Sequence, residues 1–130
     1  MQKNILKSGI EISELGLGCM SLGTDYKKAQ PIIESAIDNG ITYFDTADIY
    51  DQGVNEEIVG QALKKHQNRD DIVIGTKVGN RLTDDGHMTW DPSKKHIKES
   101  VKGSLKRLGL NHLDLYQLHG GTIDLSLIHI

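Results

Sequence analysis

Ile41-Thr42-Tyr43-Phe44-Asp45-Thr46-Ala47-Asp48-Ile49-Tyr50 is a short apolar run that ends on an acid and passes into a polar turn. Two further runs end the same way. Ile72-Val73-Ile74-Gly75-Thr76 leads into Lys77, and Leu113-Asp114-Leu115-Tyr116-Gln117-Leu118 leads into His119. Segments with helical spacing separate them. Strands alternating with helices, with titratable groups gathered at the carboxyl end of each strand, are how a (β/α) barrel assembles a site. Crossovers of this length imply parallel pairing and right-handed connections.

Reading outward, residues 4–12 predict a small hairpin turning at Ser8-Gly9, and Leu15-Gly16-Leu17-Gly18 a first buried strand. Ala29, Ile32, Ile33, Ala36 and Ile37 recur at helical spacing and define one apolar stripe. Pro31 fits only a first turn, so residues 25–28 read as a turn or an irregular helix start, and Asn39-Gly40 as the stop. Asn55 reads as the cap of a second helix, with Glu56 and Glu57 at its positive end and Ile58, Val59, Ala62 and Leu63 inward. Residues 79–90 read as a polar loop. Asp91 then caps a third helix with Pro92 at its first position, Ile97, Val101, Leu105 and Leu108 on its inner face, and Gly109 at its close.

The expectation is one α/β domain over residues 1–130: a hairpin, then about four β/α units. A complete eight-unit barrel takes about 250 residues, so these 130 are the N-terminal portion of one, truncated. Charged residues make up 25% of the chain and sum to a net charge of -3, with Lys and Arg scattered among acids, which argues against nucleic acid as a partner. No apolar run reaches the roughly 20 residues of a membrane helix, and the N-terminus lacks the apolar stretch of a signal peptide. A single cysteine, Cys19, can form no internal disulfide. A cytoplasmic protein is expected.

Taken singly, the titratable residues have plain readings: residues 45–48 a polar turn, Lys77 a solvated strand end, His119 a loop histidine. Gly16, Gly18 and Gly23 ahead of Asp45 suggest a dinucleotide fingerprint, but the spacing fails and no helix opens directly after Gly18. The six histidines show no paired ligand spacing, and no metal is expected. Cys19 reads as a packed small residue, and Trp90 equally well as a packing anchor for its loop.

Together, Phe44-Asp45-Thr46-Ala47-Asp48-Ile49-Tyr50, Leu17-Gly18-Cys19-Met20, Asn55-Glu56-Glu57-Ile58-Val59-Gly60, Thr76-Lys77-Val78-Gly79 and residues 113–119 resemble the aldo-keto reductase family in order and spacing. The resemblance covers roughly residues 5–122. It implies a (β/α)8 TIM barrel and NADPH-dependent reduction of aldehydes or ketones, small-molecule carbonyl substrates. It places the family's catalytic tetrad on Asp45, Tyr50, Lys77 and His119. Tyr50 would be the acid. A free phenol has a pKa near 10, and an ammonium at Lys77 would favour its ionised form. Asp45 would hold Lys77, and His119 would bond the carbonyl oxygen. Gly18, Met20 and Asp45 are implied at the cofactor, and Tyr26, Asp48 and Trp90 at the substrate.

Family members grip the adenosine phosphate of the cofactor through their last barrel strands, which lie outside these residues. The apolar stretch 123–130 departs from the family pattern and is expected to be a non-native tail. The competing expectation is a catalytically inactive fragment, or a binding module that self-associates through open barrel edges.

Overall fold

A computed structural model describes residues 1–66 and 68–120; the tail expected at 123–130 lies outside the described residues. Strands β1 (Lys3–Ile5) and β2 (Glu11–Ser13) form the expected antiparallel hairpin, closed by Leu6 N–H to the Ile10 carbonyl with Gly9 at φ 87. Ser13 and Thr42 then exchange bonds: each backbone N–H donates to the other's hydroxyl oxygen, at 2.8 and 2.9 Å. That exchange pins the hairpin to the entry of the sheet, the end away from Asp45.

The sheet holds β3 (Gly16–Gly18), β4 (Tyr43–Asp45), β5 (Val73–Val78) and β8 (Leu115–Leu118), in that order and all parallel. Helices α1 (Tyr26–Asp38), α2 (Val54–Leu63) and α3 (Lys94–Leu108) fill the crossovers. This is the expected part of an α/β barrel. Alternation along the strands sends Phe44 and Ile74 into a core with Ile33, Ile37, Val59, Leu63 and Leu108, while Asp45 and Lys77 project from the other face. Among the described residues no helix is long and apolar enough to cross a membrane.

Several local expectations are corrected. Helix α1 starts at Tyr26, because Asp25 caps it by accepting from Lys27 N–H at 3.0 Å; Pro31 therefore sits inside the helix. Its ring removes the amide that would bond the Lys27 carbonyl, and Lys27 is exposed to solvent. Ile32 lies at the edge of the apolar stripe and is 47% exposed. The helix does stop as expected: Gly40 N–H reaches the Ile37 carbonyl and Ile41 N–H the Ala36 carbonyl, with Gly40 at φ 87.

Asn55 is not the cap of α2. Gly53, left-handed at φ 95, holds that place, and Asn55 is fully buried in the first turn. Residues 79–90 are not a plain loop: β6 (Asn80–Leu82) and β7 (Met88–Trp90) pair antiparallel about a turn with Gly86 at φ 81. In α3, Ser93 caps by accepting from His96 N–H, and Asp91 instead accepts from Ser93 N–H at 3.0 Å, so Pro92 precedes the helix. Of the four inner residues expected on α3, Leu108 is buried, and Ile97, Val101 and Leu105 are half-buried.

Two buried polar links brace the helix layer. Glu56, 0% exposed, accepts from Thr76 Oγ1 at 2.6 Å and from Arg107 Nε at 2.6 Å, joining α2 to β5 and α3. A carboxylate this deep is stable only with both oxygens bonded. Helices α2 and α3 also touch at backbone distance: a methyl on Gly60 would come within 2.5 Å of the Leu108 carbonyl oxygen. Gly60→Ala should therefore destabilise the chain by about 1–3 kcal/mol through overpacking, although alanine is the better helix former. Denaturant unfolding beside the exposed control Gln61→Ala checks this; equal stability of the two variants would show that the helices separate freely.

Candidate active site

Four expected residues converge at the carboxyl ends of β4, β5 and β8. Asp45 closes β4, and its carbonyl accepts from Cys19 N–H at 2.8 Å, which ties the end of β3 to it. Lys77 lies on β5, two strand positions beyond Gly75, the register partner of Asp45. Its ammonium donates to Asp45 Oδ2 at 2.6 Å and to the Thr46 carbonyl at 2.7 Å. The two side chains are 13% and 28% exposed, so water screens this pair much less than a surface pair.

Tyr50 reaches the group from the turn after β4. The 3-10 segment Tyr50–Gly53 holds Asp51 at φ 49 and Gln52 at φ 55, followed by left-handed Gly53. Non-glycine residues in this region cost roughly 1–2 kcal/mol each. Bonds from Gln52 N–H to the Ile49 carbonyl and from Tyr50 N–H to the Ala47 carbonyl hold the turn. The Tyr50 ring meets His119 edge to face at 5.7 Å between centroids, and Lys77 Nζ lies 5.4 Å from the Tyr50 centroid.

His119 follows β8, fixed by its N–H on the Val78 carbonyl at 2.7 Å. Burial pushes its imidazole below the ordinary histidine value and the Lys77 ammonium adds to this, while Asp45 opposes. The ring is therefore neutral at neutral pH, with one N–H to donate. Its Nδ1 is buried without a partner among the described residues.

The other expected residues are more scattered. Gly18 pairs with Asp45 across β3 and β4, and a methyl there would meet nothing within 4 Å. Met20, just beyond, is 61% exposed. Trp90 packs beside the group: Gly79, at φ 135, is the point where Trp90 Nε1 and the His119 carbonyl converge, each 3.0 Å from the position of an added methyl. Tyr26 packs against the core at the start of α1. Asp48 stands apart, its carboxyl lining a cavity of about 350 Å³ with Asn80, Arg81, His96 and Arg107. Burial, then Glu56, push that carboxyl up to about 6.

Cys19 is buried, and burial followed by Asp45 pushes its thiol up to about 12, so it is no nucleophile. Among the described residues no group of three or more metal-ligating side chains assembles.

Sequence reasoning passed over four contributors. The Thr46 carbonyl is the second acceptor for Lys77, a role no side-chain pattern announces. Asn55 donates to the Cys19 carbonyl at 2.7 Å and accepts from Thr46 Oγ1 at 2.5 Å, so it clamps the ends of β3 and β4. Tyr43 and Gln117 gather on Asp45. The spacing of Tyr43 and Asp45, two apart on one strand, was the available signal.

Known proteins resemble this chain in sequence and in fold. The model of the Aldo/keto reductase family matches residues 14–126. The uncharacterized oxidoreductase YqkF of Bacillus subtilis is 58% identical over 118 residues, covering 90% of this chain and 38% of that protein. The aldo-keto reductase YhdN of the same organism is 38% identical over 122 residues, covering 89% and 37%. An aldo-keto reductase from Bacillus halodurans in its holo form superposes with a TM-score of 0.87 at 54% identity, over 98% of this chain and 43% of that one. One from Klebsiella pneumoniae in complex with NADPH gives 0.71 at 29%, over 95% and 42%. The chain spans less than two fifths of the length of these two curated relatives. On the family match, the sequence identities and the shared fold, the chain belongs to the aldo/keto reductase family.

Proposed function

We propose that this chain carries the proton-donating and polarising unit of an NADPH-dependent reductase that converts aldehydes or ketones to alcohols in the cytoplasm. The observation behind this reading is the meeting of Tyr50, His119 and the Asp45–Lys77 pair at three adjacent strand ends. The open space at Gly18 and the exposed Met20 beside Asp45 suit the nicotinamide end of the cofactor. When bound, NADPH supplies the hydride.

The chain's own residues supply the rest. As hydride reaches the carbonyl carbon, negative charge develops on the oxygen and needs a proton donor within hydrogen-bond reach. Tyr50 gives its hydroxyl proton. The Lys77 ammonium, held by Asp45 and the Thr46 carbonyl, stabilises the charge left on the phenol oxygen. Neutral His119, through its N–H, bonds the substrate oxygen and orients it. Trp90, beside His119, forms a wall for the substrate.

Purified protein is expected to oxidise NADPH in the presence of aldehydes or ketones, followed by cofactor absorbance across a panel of both. Tyr50→Phe should lower turnover by about 10²–10⁴-fold, the weight of a positioned acid, and leave NADPH binding by fluorescence unchanged. Retained turnover removes Tyr50 as the acid. Absence of both NADPH binding and turnover in the unmutated chain would leave the non-catalytic reading.

A further inference from the structure

Tyr43 stands two residues before Asp45 on β4 and so on the same face of the sheet. Its ring lies across two glycines. A methyl on Gly16 of β3 would come within 2.6 Å of Tyr43 Cδ1, and one on Gly75 of β5 within 2.8 Å of its hydroxyl oxygen. Neither neighbouring strand can carry a side chain where the ring passes. At the end of this passage the hydroxyl donates to Asp45 Oδ1 at 3.0 Å, while Asp45 Oδ2 accepts from Lys77 at 2.6 Å. Each carboxylate oxygen thus has its own donor. From β8, Gln117 Nε2 approaches the Tyr43 hydroxyl at 3.4 Å and Asp45 Oδ1 at 3.5 Å.

A carboxylate bonded at one oxygen only can turn about its last side-chain bond, a torsion with broad minima. Bonded at both oxygens it cannot. We infer that Tyr43 is a positioning residue of the site: its hydroxyl fixes the plane of the Asp45 carboxylate and so presents Oδ2 to Lys77, with Gln117 as a backing donor. The inference rests on the Asp45–Lys77 pair working as proposed above, but its consequences are read without turnover. Burial, then the Asp45 charge and hydrogen bond, push the Tyr43 phenol up to about 12, which keeps it a donor across the neutral range. The two glycines have a role in the same device, since a side chain at either would lift the ring away from Asp45.

Tyr43→Phe keeps the ring and deletes only the donor. By NMR, the Lys77 ammonium protons, assigned through their loss in Lys77→Met, should exchange with water about fivefold faster in Tyr43→Phe than in the unmutated chain, the scale of one lost hydrogen bond. Equal exchange rates would overturn the inference and leave Tyr43 a packing residue. From the other end of the pair, protein carrying fluorotyrosine, whose phenol ionises at lower pH, can be titrated by fluorine NMR with Tyr43→Phe assigning the signal. Asp45→Asn should move the Tyr43 midpoint down by on the order of one pH unit; no movement would equally overturn it. A chain showing both responses and no reductase activity would refute the catalytic reading and leave the positioning of Asp45 standing.

Discussion

The ion pair between Lys77 Nζ and Asp45 Oδ2 joins two neighbouring strands at the ends where the reactive groups gather. It lies on the face of the sheet opposite the apolar core, so hydrophobic packing alone does not specify it. Its partners do. The Thr46 carbonyl takes a second proton of the ammonium, Tyr43 takes the second oxygen of the carboxylate, and Asn55 anchors Thr46 to the carbonyl of Cys19. Three strand ends and the first turn of α2 are thereby held in one polar cluster. Tyr50 and His119 are placed against that cluster rather than within it.

The opposite face of the same strands carries a matching brace. Thr76, adjacent to Lys77, turns to the helix side and donates to buried Glu56, which also holds Arg107 of α3. Gly53 lies against the Arg107 side chain, with a methyl there only 2.9 Å from its Cδ. The left-handed turn that carries Tyr50 therefore ends on the same ion pair that locks α2 to α3. Strain at Asp51 and Gln52 is retained because both ends of the turn are fixed, one by β4 and the other by this brace.

Much of this was legible in the sequence, for a physical reason. Strand ends are local features: an apolar run that stops on Asp45, Lys77 or His119 marks both the strand and the position of the group. The Tyr43–Asp45 link was legible in principle from alternation, and Gln117 from its polarity in an otherwise apolar run. Asn55 and Asp91 were misjudged because the small polar residues that cap helices also bond well elsewhere. Asn55 was drawn into a buried bridge, and Ser93 took the cap from Asp91 two residues on. The hairpin at 80–90 was illegible because each strand has three residues, too few for a period, and exposed side chains on both. Pro31 entered the body of α1 because the Asp25 cap and the core fixed the helix start ahead of it.

The central claim is that Asp45, Lys77, Tyr50 and His119 form one electrostatic unit across three strands. The most direct measurement is the titration of the His119 ring by NMR in the unmutated chain and in Lys77→Met. The charged form of His119 is disfavoured by burial and by the Lys77 ammonium, so the midpoint should lie below the ordinary histidine value near 6.5 and rise when Lys77 is replaced. A midpoint at the ordinary value that does not respond to Lys77→Met would contradict the account.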